Sequence, residues 1–213
     1  MMNKRFARIC GMRAADGGAR LLVEIEQKKG DALTRETISL LTARLGELPT
    51  VGEISEEELL HLRREAQICD AIGAGLRSLG ANGCSARQLA QKLRARGFDA
   101  DAAGEAVAEI SEKGYLKDEE GALREAEKGL AKLWGDRRIL ADLQAKGYTG
   151  GALKYAAARL RAEDGAARCA LLLRKRRMGA PTDEAELRRM LSSLIRYGYS
   201  QDEIKRAMRL RHS

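Results

Sequence analysis

The chain has 213 residues with 39 Lys or Arg against 31 Asp or Glu, a net charge of +8, and at 23.4 kDa can hold one large domain or several small ones. A third of the residues are charged, 4% are aromatic and two are proline, which favours helices over a β-sandwich or barrel. No apolar run approaches the ~18 residues of a membrane span, and Met1-Met2-Asn3-Lys4-Arg5 leads into no apolar signal core.

Four dispersed cysteines (Cys10, Cys69, Cys84, Cys169) without a C-x-x-C pair, and only two histidines, fit neither a zinc site nor a disulfide framework. Reduced thiols in a cytoplasmic protein without membrane, metal or cofactor are expected. Charge is unevenly placed: residues 1–81 hold 12 basic and 12 acidic side chains, and residues 82–213 hold 27 and 19. A basic part joined to a neutral one fits a polyanionic partner, and fits equally a solvated, salt-bridged helical surface.

In chain order, Arg8-Ile9-Cys10-Gly11-Met12-Arg13 alternates polar and apolar, Ala15-Asp16-Gly17-Gly18 supplies turn chemistry, and Leu21–Glu26 follows as a second strand with Val23 and Ile25 on one face. After Lys28–Asp31 a short helix is predicted over Leu33–Leu45, stopped by Gly46 and Pro49. A long helix begins at Ser55, where Ser55-Glu56-Glu57-Glu58 has capping-box form, and runs to Leu79 before Gly80–Gly83.

From Cys84 onward the chain repeats. One helix opens at Ser85-Ala86-Arg87-Gln88 and ends at Gly97-Phe98; a second is capped by Asp136 and ends at Gly147-Tyr148; a third opens at Thr182-Asp183 and ends at Gly198-Tyr199. Leu93, Leu143 and Leu194 stand four residues before each glycine, Leu89, Ile139 and Met190 eight before, and Arg87, Arg137 and Arg188 ten before. The apolar pair makes a one-faced helix, and glycine supplies the left-handed residue that closes it with the aromatic folding back. Further helices are predicted over 101–113, 118–133, 151–161, 164–177 and 201–210. Units of about 50 residues are expected to stack on their neighbours.

Leu89–Phe98, Gly114-Tyr115-Leu116-Lys117-Asp118-Glu119-Glu120, Gly135–Leu143 with Lys146-Gly147-Tyr148, and Ile195–Tyr199 together resemble the ordered repeat signatures of the RecX family of recombination regulators, over roughly residues 70–213. Three positions depart from the pattern: Lys117 stands in an acidic place, Gly121 in an aromatic one, and Trp134 where a basic or small residue is expected. The resemblance implies a mainly α fold of three tandem three-helix repeats in an elongated curved array, after a small N-terminal β-hairpin and helix. The divisions expected are 1–54 for the extension, 55–115 for the long helix and first repeat, 116–165 for the second and 166–213 for the third. It also implies a non-enzymatic, monomeric regulator that binds the RecA filament on single-stranded DNA, touching the DNA directly or through the filament, and limits its recombinase and co-protease activities.

Two surfaces could carry such binding. Arg87, Arg137, Arg138, Arg188 and Arg189 recur near the start of each leading helix, and constant stacking would align them as a basic stripe whose planar guanidinium forks suit phosphate or carboxylate. The competing explanation is a solvated face with intrahelical pairs such as Arg138 with Asp142. Arg174-Lys175-Arg176-Arg177 is the second candidate, although a helix C-terminus explains such a cluster by itself.

No phosphate-loop pattern occurs, Gly73-Ala74-Gly75 sits in a helical pattern, and His61 and His212 have no nucleophile pocket, so an enzyme is not expected. The alternatives are a basic, helix-turn-helix-like DNA-binding module acting without a recombinase and a solenoid-like scaffold for an unrelated partner.

Overall fold

A computed structural model describes residues 6–29, 32–81 and 84–210. They fall into two compact units, one drawn from residues 1–82 and 89–115, the other from 83–88 and 116–213.

In the first unit, alternating sequence becomes an antiparallel sheet of β1 (Phe6–Ala15), β2 (Arg20–Lys29), β3 (Ala32–Leu41) and β4 (Gly52–Ile54), in the order β3-β2-β1-β4. The predicted β1–β2 hairpin forms across a tight turn at Asp16–Gly18, with Gly17 and Gly18 in the left-handed region. Ala7, Ile9, Val23, Ile25 and Leu40 share one buried face, which packs against Leu59, Leu62 and Ala66. A bulge between Ile9 and Gly11 interrupts the alternation and leaves Cys10 exposed.

The helix predicted over Leu33–Leu45 is not formed. Residues 32–41 are β3, paired with β2 from Arg20–Leu41 to Lys29–Ala32, and only Thr42–Arg44 make a short 3₁₀ turn. Thr34, Thr37 and Ile38 suit a pleated strand, and the ladder satisfies an edge of β2 that a helix would have left open. The short β4 was not anticipated either.

The 3₁₀ turn places Arg44 among three carboxylates: Nε donates to Glu65 at 2.7 Å, Nη2 to Glu105 at 2.6 Å and Nη1 to Glu109 at 3.4 Å. Arg44 holds the Glu105 carboxyl below its usual range, with Arg64 adding to the effect. Lys113 is the main cause of the same shift at Glu109. Depressed carboxylates stabilise the fold above their unfolded value near 4.5 and lose that contribution as pH falls through the folded values. Arg44→Ala is therefore expected to cost about 2 kcal/mol at neutral pH. Its deficit against the wild type should shrink below about pH 4 in urea titrations; an unchanged deficit would remove Arg44 as the cause.

α1 (Glu56–Ala81) opens as predicted: the Ser55 N–H donates to Glu58 at 2.7 Å and the Glu58 N–H to the Ser55 hydroxyl at 3.1 Å. The expected stop over Gly80–Gly83 falls partly outside the described residues: the helix runs on past Leu79 through Gly80 and Ala81, and residues 82–83 are not described. Gly73-Ala74-Gly75 is helical, and Gly75 serves packing: a Cβ there would lie 2.6 Å from Ile110 of α3 (Ala100–Glu112). Between α1 and α3 runs α2 (Ala86–Ala95).

The second unit contains α4 (Asp118–Ala131), α5 (Asp136–Ala145), α6 (Gly150–Arg161), α7 (Gly165–Lys175), α8 (Glu184–Arg196) and α9 (Gln201–Leu210). Ala122, Ala126, Ile139, Leu143, Tyr148, Ala156 and Leu160 form the core of α4–α6. Cys169, Leu172, Leu173, Met190, Leu194, Tyr199 and Ile204 form that of α7–α9, where burial pushes the Cys169 thiol up to about 12.

The repeated caps form as read. Gly97, Gly147 and Gly198 have φ of 97°, 82° and 94°, and the N–H of Phe98, Tyr148 and Tyr199 returns to the carbonyl of Leu93, Leu143 and Leu194 at 3.3, 3.0 and 3.2 Å. Tyr148 and Tyr199 are buried, Phe98 half-buried. The departure at Gly121 accommodates this core, since a Cβ there would lie 2.8 Å from the Tyr148 hydroxyl.

Candidate interaction surface

A helix begins with N–H groups and ends with carbonyls that lack intrahelical partners. In the second unit these two needs meet. The Gly135 N–H donates to the Tyr197 carbonyl at 2.8 Å and the Arg137 N–H to the Gly198 carbonyl at 3.3 Å, so the start of α5 sits on the cap of α8. The start of α2 meets the cap of α5 similarly, but through a side chain. Ser85, fifty residues before Gly135, donates its hydroxyl to the Lys146 carbonyl at 2.6 Å and accepts from the Gln88 N–H at 3.2 Å. Each contact sets a partly positive helix start against a partly negative helix end, the favourable alignment of dipoles.

Two sequence expectations change here. The N-cap of α5 is Gly135, not Asp136, which is instead the first helical residue and binds Arg168 of α7. Arg168 is buried, its side chain 8% exposed, and its Nε and Nη1 make no hydrogen bond among the described residues. Burial raises the Asp136 pKa against the opposing effect of Arg168. Beside this pair the Tyr199 hydroxyl donates to the Leu133 carbonyl at 2.8 Å.

The predicted cations are placed as follows. Arg87 and Arg137 are exposed, with no carboxylate in ion-pair reach among the described residues. Arg188 is exposed and pairs with Glu184 at 2.8 Å, the kind of surface pair worth ~0.3–0.5 kcal/mol. Arg189, also exposed, donates to the Ala185 carbonyl at 3.4 Å. Arg174 and Lys175 end α7, Arg176 is its C-cap, and Arg177 takes the left-handed position with φ 52°; all four are exposed.

Arg138 behaves differently from its neighbours. It does not pair with Asp142, which binds Lys146 at 2.7 Å. Its guanidinium lies 4.2 Å from the Trp134 ring centre and 5.3 Å from that of Tyr197. Lys132 is 4.8 Å from Trp134, and Arg176 is 4.7 Å from Tyr197, whose hydroxyl it also meets. The result is a ladder of cations and rings, Lys132, Trp134, Arg138, Tyr197, Arg176, joining residues from both basic runs, all within the distance at which a ring face attracts a cation. Sequence reasoning left Trp134 open and passed over Tyr197. The signal was there: each aromatic immediately precedes one of the two glycines that meet, Gly135 and Gly198.

The charge division is sharper by unit than by sequence halves. The first unit has 16 basic and 17 acidic side chains, the second 23 and 14. Among the described residues no cluster of His, Cys, Asp or Glu could hold a metal ion, and no helix is long and apolar enough to cross a membrane. His61 lines a shallow groove with Leu48 and Glu58, and His212 lies outside the described residues.

No protein-family model matches the chain. It is 32% identical over 95 residues to a regulatory protein RecX of Caldanaerobacter subterraneus subsp. tengcongensis, a match covering 45% of this chain; the chain spans about half the length of that curated relative, 48%. A crystal structure of a regulatory protein RecX superposes with a TM-score of 0.72 at 16% identity, covering 95% of this chain and 98% of that one. RecX from Lactobacillus salivarius superposes with a TM-score of 0.60 at 18% identity, over 68% and 97%. At these identities the two structures establish the fold.

Proposed function

We propose that this chain, a member of the RecX family of regulatory proteins, is a non-enzymatic regulator that binds the RecA filament on single-stranded DNA and restrains it. The observation that carries this reading is the end-to-end contact of leading helices, with Gly135 on Tyr197 and Ser85 on Lys146. It recurs from α8 to α5 and, through the Ser85 side chain, from α5 to α2, and Arg87, Arg137 and Arg188 each stand ten residues before the glycine that closes their helix. A repeated protein surface suits a repeated partner, and a filament of identical protomers is such a partner. The cationic excess of that unit suits the acidic character of a nucleoprotein filament.

On this reading the protein acts in the cytoplasm, as a monomer, within recombination, repair and the SOS response, by limiting filament growth, ATP hydrolysis, strand exchange and repressor cleavage. Arg87, Arg137, Arg138, Arg188 and Arg189 are the residues proposed to dock, with Arg174, Lys175, Arg176 and Arg177 as a second patch. The Arg188–Glu184 pair is too exposed to prevent Arg188 from taking a new partner.

The test is the DNA-dependent ATPase and strand exchange of RecA with purified protein added at sub-stoichiometric to equimolar ratios. Both rates should fall, and the protein should co-sediment with the filament. Arg137→Ala with Arg188→Ala should weaken the effect about tenfold or more. Unchanged rates without co-sedimentation would defeat the reading. A footprint on one duplex sequence without recombinase would favour the DNA-binding alternative.

A further inference from the structure

We propose that the Trp134, Arg138, Tyr197 and Arg176 ladder is a binding site for a single-stranded nucleic acid, gripping its phosphates and meeting its unpaired bases, and that it does so without any recombinase. This deepens the reading above, resting on it only for the expectation of a polyanion.

Three observations support it. Arg138 and Arg176 are held against ring faces, yet no carboxylate reaches either among the described residues. Stacked on its rings, the Arg138 guanidinium keeps its N–H edge for hydrogen bonds, while Arg176 spends one N–H on the Tyr197 hydroxyl and keeps the others; being already oriented, both lose little freedom when a phosphate arrives. The surroundings are cationic as well: Arg137 adjoins Arg138, Arg174, Lys175 and Arg177 adjoin Arg176, and residues 165–182 contain no acidic side chain. Finally, the rings alternate with the cations and are only half-buried.

That alternation selects the partner. Single strands present phosphates and unstacked base faces side by side, and proteins that hold them combine basic tracks with aromatic platforms. A duplex hides its base faces, leaving the rings without a role. An acidic peptide would satisfy the cations but offer nothing flat to Trp134 and Tyr197. The same rings explain why the buried aromatics Tyr148 and Tyr199, committed to caps and cores, do not serve this purpose.

Trp134 is the single tryptophan of the chain, so its emission reports this site alone. Titrating the full chain with a short oligothymidylate should quench that emission to saturation. The slope of log K against log salt should reflect about 0.7 per phosphate held. Arg138→Gln with Arg176→Gln should weaken binding about tenfold and reduce the slope by roughly 1.4. Arg176→Gln alone, at an exposed position that tolerates substitution, should reduce the slope by roughly 0.7.

Binding that leaves Trp134 emission unchanged, or that both variants leave unaltered, would overturn the proposal. Equal quenching by polyglutamate or by duplex of the same charge would also overturn it. If the oligothymidylate titration succeeds while RecA rates stay unchanged, the regulator reading falls and this site stands; the converse result removes this site alone.

Discussion

Gly135→Ala will destabilise the second unit by about 3 kcal/mol, near the upper end for overpacking. That corresponds to a drop in melting temperature of roughly 6–12 °C for a chain of this size. A Cβ at Gly135 would lie 2.3 Å from the Gly198 carbonyl carbon and oxygen and 2.5 Å from the Tyr199 nitrogen. All three are backbone atoms, so relief requires parting α5 from the cap of α8 and breaking the 2.8 Å bond from Gly135 to Tyr197. Gly198→Ala should be at least as harmful, because its φ of 94° disfavours any side chain and a Cβ there would lie 2.4 Å from the Arg138 nitrogen. Gly104→Ala provides the opposite sign. Gly104 is exposed on α3 with nothing near a new Cβ, and alanine should stabilise the helix by about 0.5–1 kcal/mol. Melting of Gly135→Ala within a degree of the wild type would contradict the end-to-end junction.

Arg168→Ala is expected to cost about 3 kcal/mol at neutral pH, because it leaves Asp136 ionised, partly buried and without its cation. Arg168→Met, which keeps most of the stem volume, isolates the electrostatic part. Asp136 has a raised pKa in the fold, chiefly from burial and against the opposing pull of Arg168. Such a carboxyl favours folding when protonated, and its contribution is lost as pH rises through the folded value, which lies above the ordinary 3.8. Without Arg168 the folded value moves higher, so the loss continues further toward neutral pH. The gap between Arg168→Met and wild type should therefore widen from about pH 4 to pH 7 in urea titrations. Asp136→Asn in the Arg168→Met background should recover part of the loss and remove the widening. An equal gap at both pH values would mean that Arg168 matters only for its packing.

The reading of the sequence succeeded where a feature is local. The three Gly-aromatic caps depend on one left-handed residue and one returned N–H within six residues, and the leucine four places earlier supplies the accepting carbonyl. The Ser55–Glu58 box is equally self-contained. The β1–β2 hairpin announced itself through alternation and two consecutive glycines. It failed at β3, because Leu33–Leu45 has apolar residues that suit a helix face or a strand alike, and only the open edge of β2 decides between them. Asp136 resembled an N-cap in sequence, but the groups at that helix end are taken by carbonyls more than sixty residues later.

The candidate interaction surface divides in the same way. The recurrence of Arg87, Arg137 and Arg188 ten residues before each glycine is written in the chain, and so is the acid-free run around Arg174–Arg177. That Arg138, next to this series, stacks between Trp134 and Tyr197, and that Arg176 joins it from another helix, depends on where α8 ends relative to α5 and α7.

By itself, then, the amino-acid order determined the helical period, the way each leading helix closes and the basic character of the C-terminal part, since these follow from conformational preferences and contacts a few residues apart. The third strand of the sheet, the helix starts seated on distant helix ends, the buried Arg168–Asp136 pair and the cation–ring ladder were decided only by tertiary structure. Each of them satisfies an unpaired backbone group, a charge or a ring face with a partner that the chain brings near only after folding.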